Sequence, residues 1–488
     1  MKFQILLASL ALASCATQTM HHDQERVPAS DPTISAMFSP WEGTLAFDKM
    51  YKAISGAKHD AKVTVYSWSD SGFDKAIEDA VNNGVDVKVV VHPDLAKDPG
   101  TIAKVQKLEN LKGKGRASFK MAPRNMHEKF ALIDSEYLVN SSANMSGGAK
   151  TKYSENFVFT NGPDHLLKNF ENEFAVLWNS SKDMVSGPQD AVDDRLPYDA
   201  NNHQTLGKEV TLYSSSMNYN YVDNTAAASQ EGKFIKLVPK GGGNGPYTVR
   251  DAIIGAIKKA KKTIHCSFNH FNLLEISQAL VEASARGVDV KLTVDNQEFR
   301  EKWSAQGIEM TPYFVENWKK ISGNANKTAP VRVKFYSHYP NPAKWYLNHH
   351  KFFLVDSGTT DAVLFTGSYN LSETAEHNQF DNMVSYAGPK FSALQKSFLE
   401  EFGKLWSLER DAADKPKADA VAVFTTVTNG SLPIHSQRPV SMTFEEIIKL
   451  RQDVRAMAPD FLRQMNMKTS SCVGFDLTKK QLWGCAAH

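Results

Sequence analysis

Short apolar runs alternate with longer amphipathic stretches from Ile34 onward. KVTVYSW (62–68) and VDVKVVV (85–91) are apolar and β-prone, and FDKAIEDAVNNG (73–84) between them has helical spacing and ends in a glycine. This strand–helix–strand order predicts an α/β sheet with right-handed crossovers. FENEFAVLW (170–178) predicts a helix that closes this part of the chain.

The same order of elements occurs a second time. VRDAIIGAIKKAKKTIHCSF (249–268) parallels the first helix and strand, LEISQALVEASARGVDVKLTV (274–294) parallels the next helix and strand, and FLEEFGKLW (398–406) parallels FENEFAVLW. Both copies contain the string GVDVK, which begins at Gly84 and again at Gly287. The repetition predicts two similar halves.

One short motif also occurs once in each half. It reads HEKFALID in the first half and HHKFFLVD in the second, and the apolar, β-prone residues within it predict a strand in both places. The motif residues are His127, Lys129 and Asp134 in the first copy, and His349, Lys351 and Asp356 in the second.

Within each copy the histidine and the lysine point the same way, because alternate residues of a strand share a face. A neutral imidazole beside an ammonium places a nucleophile or proton carrier next to an anion holder. Asp134 and Asp356 have the opposite parity, so we expect them to hold the backbone behind the strand. A polar strand end is the preferred interpretation of one such motif alone, but it does not account for two copies in matching surroundings.

Each motif is followed by the same series of polar residues. VNSSANMS and YSENFVF follow the first copy, and FTGSYNLS and QFDNMV follow the second. The corresponding residues are Ser142, Asn144 and Glu155 in the first half, and Ser368, Asn370 and Asp381 in the second.

Length and charge limit the class of protein. The chain has 488 residues, which is enough for two or three domains with substantial cores, and its formal net charge is only +2. This balance gives no global field that would attract nucleic acid. A basic stretch precedes the first motif and is interpreted either as a solvated helix face or as a positive rim that attracts phosphates; it contains Lys104, Lys107, Lys112, Lys114, Arg116, Lys120 and Arg124.

The N-terminus, MKFQILLASLALASCA, has one lysine before an apolar run that is too short to span a bilayer. It ends in Leu12-Ala13-Ser14-Cys15 and resembles a bacterial lipoprotein signal, with a plain secretory signal as the alternative. The resemblance implies lipidation of Cys15. We therefore expect an exported protein, lipid-anchored to a bacterial membrane and facing the periplasm or the exterior.

Composition and the repeat predict the remaining boundaries. The stretch between the halves is rich in Asp, Asn, Ser and Gly and is predicted to contain one or two strands, and the tail repeats nothing. The predicted order is a signal peptide (1–14), a tether (15–32), the first half (33–185), a linker or insertion (186–245), the second half (246–410) and a C-terminal extension (411–488).

Cysteine usage and the tail add three further expectations. Cys472 and Cys485 are predicted to pair, as nearby cysteines do in exported proteins, whereas Cys266 lies in an apolar strand and is predicted to be a buried free thiol. Thr443-x-x-Glu446 before an apolar helix predicts a capping box. No zinc-finger spacing and no dense carboxylate cluster occur, so we predict neither a metal nor another cofactor.

The paired HxKxxxxD blocks, each followed by Ser, Asn and then Glu or Asp, resemble the phospholipase D superfamily over about residues 33 to 410. The resemblance implies a bilobal fold, in which two similar α/β-sandwich halves are related by a pseudo-twofold axis and the active site lies at their interface. One position departs from the family pattern. Ser141 precedes Ser142 where the family commonly has the glycine that the second copy keeps as Gly367, and we expect this serine to displace the phosphate-facing loop slightly.

The resemblance also implies roles for the matched residues. One histidine attacks phosphorus to form a phosphohistidine while the other protonates the leaving alcohol, and His127 is the expected nucleophile. The lysines and asparagines, with Ser142 and Ser368 nearby, are expected to bind the phosphate oxygens, and Glu155 and Asp381 to hold the second nitrogen of each histidine.

The function that follows is a phospholipase D-like phosphodiesterase, independent of metal, that cleaves phosphatidyl groups of phospholipids. A transferase of the cardiolipin synthase type is a variant, an exported endonuclease of the same superfamily is the alternative from another substrate class, and a non-catalytic scaffold fits the intact motifs least. The expected partners are a phospholipid substrate and a membrane, and a monomer suffices for the active site.

Overall fold

Two eight-stranded sheets, one from each half of the chain, have the same strand order. The computed structural model describes residues 33–185, 194–200, 207, 209–224, 234–295, 310–323, 326–335, 347–407, 440–449, 474–476 and 481–483. The predicted fold class of two α/β halves is confirmed.

The first sheet has the order β1-β8-β7-β6-β2-β3-β4-β9. The elements of this half are β1 (Ile34–Ser39), α1 (Gly43–Ser55), β2 (Asp60–Val65), α2 (Ser71–Asn83), β3 (Asp86–Val91), a 3-10 turn (Pro93–Lys97), α3 (Pro99–Glu109), β4 (Arg116–Met121), β5 (Asn125–Met126), β6 (Phe130–Ile133), β7 (Tyr137–Ser141), α4 (Gly147–Thr151), β8 (Glu155–Thr160), α5 (Asp164–Ser180) and β9 (Lys182–Asp183).

The second sheet has the order β10-β19-β17-β16-β13-β14-β15-β20. The elements are β10 (Val210–Ser214), a 3-10 turn (Ser215–Asn218), β11 (Tyr219–Asp223), β12 (Ile235–Pro239), α6 (Thr248–Lys259), β13 (Thr263–Phe268), α7 (Leu274–Ala285), β14 (Asp289–Asp295), α8 (Thr311–Ser322), β15 (Val331–Phe335), β16 (Lys351–Val355), β17 (Val363–Gly367), α9 (Glu373–His377), β18 (Gln379–Phe380), β19 (Asn382–Ala387), a 3-10 turn (Pro389–Phe391), α10 (Ser392–Trp406), β20 (Val440–Thr443), β21 (Gly474–Asp476) and β22 (Gln481–Trp483).

Both edge strands of the second sheet come from outside the predicted second half. β10 lies in the predicted linker and pairs with β19, and β20 lies in the predicted C-terminal extension and pairs with β15. The predicted capping box after β20 is present, because the Thr443 hydroxyl accepts a hydrogen bond from the Glu446 amide and the Glu446 carboxylate accepts one from the Thr443 amide.

Local chemistry explains individual helix ends. Helix α2 begins after Asp70, whose carboxylate accepts a hydrogen bond from the Gly72 amide at 3.0 Å. It ends at Gly84, whose φ of 96° lies in the left-handed region that a glycine adopts without a steric cost.

The described residues form three apolar cores, and one of them joins the two halves. One lies between the first sheet and α1 to α3, and a second lies between the second sheet and α6 to α8. The third joins the two halves through side chains of both sheets and of α5 and α10. Helix α5 contacts β10, and α10 contacts β1, so each closing helix touches the opposite sheet. The docking of the halves therefore rests on continuous apolar burial.

The strand directions place the ends of several strands side by side. β2 and β3 run parallel, and β6 is antiparallel to β2, so the C-terminal ends of β2 and β3 lie beside the N-terminal end of β6. β13, β14 and β16 are related in the same way. Among the described helices, none combines the length and the apolarity needed to cross a bilayer.

The two motif aspartates lie at the other end of these strands. The Asp134 carboxylate accepts hydrogen bonds from the backbone amides of Lys58, His59 and Asp60 at 2.7 to 3.0 Å. Asp356 accepts them from the amides of residues 261–263 in the same way. Both aspartates have positive φ, 52° and 49°. Each one therefore fixes the backbone that leads into the neighbouring central strand.

Replacing Asp134 with Ala should lower the free energy of unfolding by about 1–3 kcal/mol, because three amides lose a charged acceptor and alanine is disfavoured at positive φ. Asp134→Asn is the matched control, since asparagine keeps one acceptor oxygen and tolerates this φ. Denaturant unfolding measures both variants. A loss for Asp134→Ala no larger than that for Asp134→Asn would contradict the assigned role.

Candidate active site

The two halves exchange backbone hydrogen bonds where each motif begins. β5 pairs in parallel with β18, and the His127 amide donates to the Phe380 carbonyl at 3.0 Å. At the corresponding place, Ser154 forms a parallel bridge with Asn348, and the His349 amide donates to the Ser154 carbonyl at 2.9 Å. The residue after each of these carbonyls is an acid. The backbone pairing therefore brings an acid of one half beside the histidine of the other.

The histidine–acid pairs are crossed between the halves. Nδ1 of His127 lies 2.7 Å from Oδ1 of Asp381, and Nδ1 of His349 lies 2.8 Å from both carboxylate oxygens of Glu155. All four side chains are buried. Since Nδ1 of each ring is engaged with a carboxylate, the nitrogen left for chemistry is Nε2.

The two serines predicted to lie near the phosphate contact the acids. The Ser142 hydroxyl donates to Glu155 at 2.6 Å, and the Ser368 hydroxyl donates to Asp381 at 2.7 Å. Each serine oxygen also accepts a hydrogen bond at 3.0 Å from the backbone amide that follows the acid. Both hydroxyls are fully buried and orient the carboxylate behind a histidine, which differs from the expected contact with the phosphate.

The serine before Ser142 fits without displacing the loop. Ser141 is hydrogen-bonded through its amide and its hydroxyl to the Lys129 carbonyl, at 2.9 and 3.2 Å. At Gly367 a Cβ atom would lie 2.3 Å from the Asn382 carbonyl oxygen, so only the second half requires glycine here. The contacts that follow are the same in both halves, and the displacement expected from Ser141 is absent.

The motif lysines lie with the histidines, on the same side. Lys129 Nζ donates to the His127 carbonyl, and Lys351 Nζ donates to the His349 carbonyl at 2.8 Å. Both lysine residues are at most 2% exposed. Burial lowers the pKa of Lys129 to about 8 and that of Lys351 to about 7. Two cationic groups of low basicity therefore meet at this place.

Asn144 and Asn370 complete the predicted set. The Oδ1 atom of each is buried without a hydrogen-bond partner in the described part of the chain. The two asparagines are therefore equivalent in this respect. When the side-chain amide nitrogen and oxygen are exchanged, each asparagine places an N–H donor at the position of the unpaired oxygen.

Burial and charge decide the protonation of the dyads. Burial, and then the two lysines, lower the pKa of both His127 and His349 well below the usual value. Burial raises the pKa of Glu155 and of Asp381 to about 7, against the effect of the lysines. These shifts favour neutral imidazoles, and an anion bound between the lysines would offset their charge and make an imidazolium accessible.

The residue between the histidine and the lysine of each motif is not singled out by the sequence analysis, although it is polar in both copies. Glu128 faces away from the lysine and lies 3.2 Å from Ser214 Oγ, which also contacts Glu173 of α5 at 2.9 Å. Its counterpart His350 lies 3.2 Å from Glu401 of α10. Burial, followed by Glu173, raises the pKa of Glu128 well above its usual value. The two halves thus differ directly behind the motif.

A buried lysine also supports the backbone pairing that brings Glu155 beside His349. Lys334 on β15 is 3% exposed, and its Nζ donates to the Ser154 hydroxyl at 2.6 Å and to the Leu347 carbonyl at 3.0 Å. These groups lie on either side of the strand pairing that brings Glu155 to His349. No motif in the sequence indicates this lysine.

The basic stretch before the first motif does not form a rim at the site. Arg116 begins β4 at the end of the sheet opposite to the motif, and Lys120 is buried against a carboxylate at 2.9 Å. Lys104 and Lys107 pair with carboxylates of α2. Arg124 donates to the His377 carbonyl of the second half and to the Tyr219 hydroxyl of β11. Most of these basic side chains therefore make tertiary contacts within the protein, and the sequence pattern does not predict those contacts.

The remaining site predictions have different outcomes. Cys266 is a buried free thiol, as predicted. Cys15, Cys472 and Cys485 lie outside the described residues. Within the described ranges, no group of three or more His, Cys, Asp or Glu side chains is placed to hold a metal ion.

Several known proteins resemble this chain. The family described as "Cardiolipin synthase, PLD-like domain" matches residues 50–178 and 253–406, which together make up more than half of the chain. The mitochondrial cardiolipin hydrolase of Danio rerio is 26% identical over 28% of this chain and 58% of its own length, and that of Chlamydomonas reinhardtii is 25% identical over 26% and 56%. The chain thus spans a little over half the length of these relatives.

The fold of a solved enzyme is also similar. Phosphatidylserine synthase from Haemophilus influenzae Rd KW20 has 12% identity and a TM-score of 0.51, over 76% of this chain and 85% of its own. This likeness concerns the fold alone. With the family match, the two motifs and their meeting at one site, the chain belongs to the phospholipase D superfamily.

Proposed function

We propose that this protein is a phosphodiesterase that cleaves or transfers the phosphatidyl groups of phospholipids through a phosphohistidine. The observation that carries the proposal is the meeting of two buried imidazoles, each bonded through Nδ1 to a carboxylate of the other half, beside two buried lysines. This set supplies a nucleophile, a proton donor and an anion holder in one place.

The reaction proceeds in two steps. In the first, Nε2 of one histidine forms a bond to phosphorus, the bond from phosphorus to the leaving oxygen breaks, and the other histidine gives that oxygen its Nε2 proton. In the second, water or an alcohol gives its proton to that same histidine and its oxygen to phosphorus, and the phosphorus–nitrogen bond breaks. The carboxylates hold each ring in the tautomer that leaves Nε2 free to react.

Lys129, Lys351, Asn144 and Asn370 bind the phosphate oxygens, and preorganised donors of this kind stabilise the charge that spreads over them during transfer. Ser142 and Ser368 position the acids. This assignment needs no metal ion and no other cofactor.

The names of the curated relatives and of the matching family support a lipid substrate, since they refer to hydrolysis and synthesis of cardiolipin. An alcohol acceptor in place of water makes the same site a phosphatidyltransferase. The N-terminal sequence supports the further proposal that the protein is exported and held at a bacterial membrane by acylated Cys15. Mass spectrometry of the mature N-terminus tests it, and a chain that starts elsewhere or lacks acyl groups contradicts it.

The proposed substrate class is tested by incubating the purified protein with phosphatidylcholine, phosphatidylglycerol, cardiolipin and single-stranded DNA. Release of headgroup or of phosphatidic acid supports hydrolysis, and formation of cardiolipin from phosphatidylglycerol supports transfer. Nucleotides released from DNA, with every lipid intact, would show that the protein is a nuclease.

Replacing either His127 or His349 with Ala should lower turnover by about a thousandfold or more, because each step uses both rings. His59→Ala is the matched control, since the His59 side chain is exposed and outside the site. Steady-state assay on the best lipid measures all three. Substantial turnover by either motif variant would disprove the shared site.

Activity should fall as the pH rises above about 7, because Lys351 and Lys129 bind phosphate only as ammonium ions and their pKa values lie near 7 and 8. A base of lowered pKa carries its charge below that pKa and loses it as the pH rises through it. We expect kcat/KM to drop by about tenfold between pH 7 and 9.

Lys351→Arg is the matched variant, because a guanidinium keeps its proton throughout this range. The decline for Lys351→Arg should begin near pH 8, where Lys129 titrates. A wild-type profile that is flat from pH 6 to 9 would contradict the assignment.

Activity should be unchanged by EDTA, because the proposed chemistry relies on imidazole, ammonium and amide groups. The assay compares protein dialysed against EDTA with untreated protein. Loss of turnover that returns on addition of a divalent cation would refute the metal-independent mechanism.

A further inference from the structure

The two halves carry different side chains where their central strands end. Tyr66 and His92 directly follow β2 and β3 in the first half. In the second half, Asn269 directly follows β13, and Asp295 is the last residue of β14. The pseudo-symmetry of the motifs is therefore broken at the residues that surround them.

Tyr66 stands beside the first motif. Its ring centroid lies 5.0 Å from that of His127 and 4.7 Å from that of His92, and Lys129 Nζ lies 5.1 Å from the same centroid. The side chain is nevertheless 37% exposed. An aromatic surface thus borders a histidine and a lysine of the site and remains open to a ligand.

The corresponding residues of the second half offer no such surface. Asn269 is 3% exposed and donates to the Asn348 carbonyl at 3.2 Å, and Asp295 is fully buried and accepts from the Asn348 amide at 2.6 Å. Among the four residues at these strand ends, only Tyr66 has an exposed apolar surface that can cover apolar parts of a substrate.

The two groups esterified to the phosphate of a phospholipid also differ in polarity. The diacylglycerol arm is apolar beyond its esters, and the headgroup arm is polar. Contact with a tyrosine ring favours the arm with more apolar surface. We propose that Tyr66 determines substrate orientation by receiving the diacylglycerol arm of the phosphatidyl group, and this inference rests on the proposed function.

The orientation assigns the two histidines. Attacking and leaving atoms lie in line on opposite sides of phosphorus. Because the phosphatidyl group stays on the enzyme, the headgroup oxygen leaves on the side away from Tyr66 and His127. His127 Nε2 then forms the bond to phosphorus, the bond to the headgroup oxygen breaks, and His349 supplies that oxygen with its proton.

The first test compares two diesters with the same headgroup, dihexanoyl phosphatidylcholine and glycerophosphocholine, which lacks acyl chains. Tyr66→Ser should lower kcat/KM about tenfold for the acylated diester and change it by less than about twofold for the other. Tyr66→Phe is the matched conservative variant and should lose less kcat/KM on the acylated diester than Tyr66→Ser does, because it keeps the ring. Thermal unfolding of each variant checks that it is folded.

The second test uses the wild-type protein and does not depend on any variant. Rapid quenching during turnover of dihexanoyl phosphatidylcholine, followed by digestion at alkaline pH and mass spectrometry, should find the phosphatidyl group on the peptide that contains His127. The group on His349 would overturn the assignment.

The remaining outcomes separate the two proposals. Equal losses by Tyr66→Ser on both diesters would mean that Tyr66 only positions the motif and would overturn its role in orientation. Unchanged rates on both would do the same while the proposed function stands. Failure of the wild-type protein to cleave any phospholipid would overturn the proposed function and this inference together.

Discussion

His127 is hydrogen-bonded through Nδ1 to a carboxylate of the second half, and His349 is bonded in the same way to a carboxylate of the first. Neither half holds a complete dyad by itself. The positions of the rings are set by the backbone hydrogen bonds from the His127 amide to Phe380 and from the His349 amide to Ser154. The chemistry of the site therefore depends on how the two halves dock.

Docking must also support the burial of charge. Lys129, Lys351, Glu155 and Asp381 are each at most 2% exposed, and an unpaired charge at such a depth costs several kcal/mol. Hydrogen bonds from Ser142 and Ser368 offset part of this cost for the acids. The rest must come from the apolar core that joins the sheets through α5 and α10. Because the four side chains of the histidine–acid pairs are buried, their electrostatic contacts are stronger than they would be in water.

The sequence predicts the elements that repeat, and it fails where the contact is tertiary. Strand parity separated Asp134 and Asp356 from the histidines, and these carboxylates contact backbone amides at the far strand ends. The crossed pairing could not be read, because it depends on which half each acid meets. The edge strands β10 and β20 lie beyond the repeated segments, and they join the second sheet only through tertiary pairing with β19 and β15, which the repeat does not predict. Lys334 carries no motif at all.

The most direct measurement of the crossed pairing is nuclear magnetic resonance of protein labelled at the histidine ring nitrogens. A hydrogen bond from Nδ1 to a carboxylate moves its proton resonance downfield, and His127→Gln and His349→Gln assign the two signals. The crossed arrangement predicts that Asp381→Asn loses the signal of His127 and keeps that of His349, and that Glu155→Gln does the reverse. Loss of the His349 signal in Asp381→Asn, with the His127 signal intact, would contradict it.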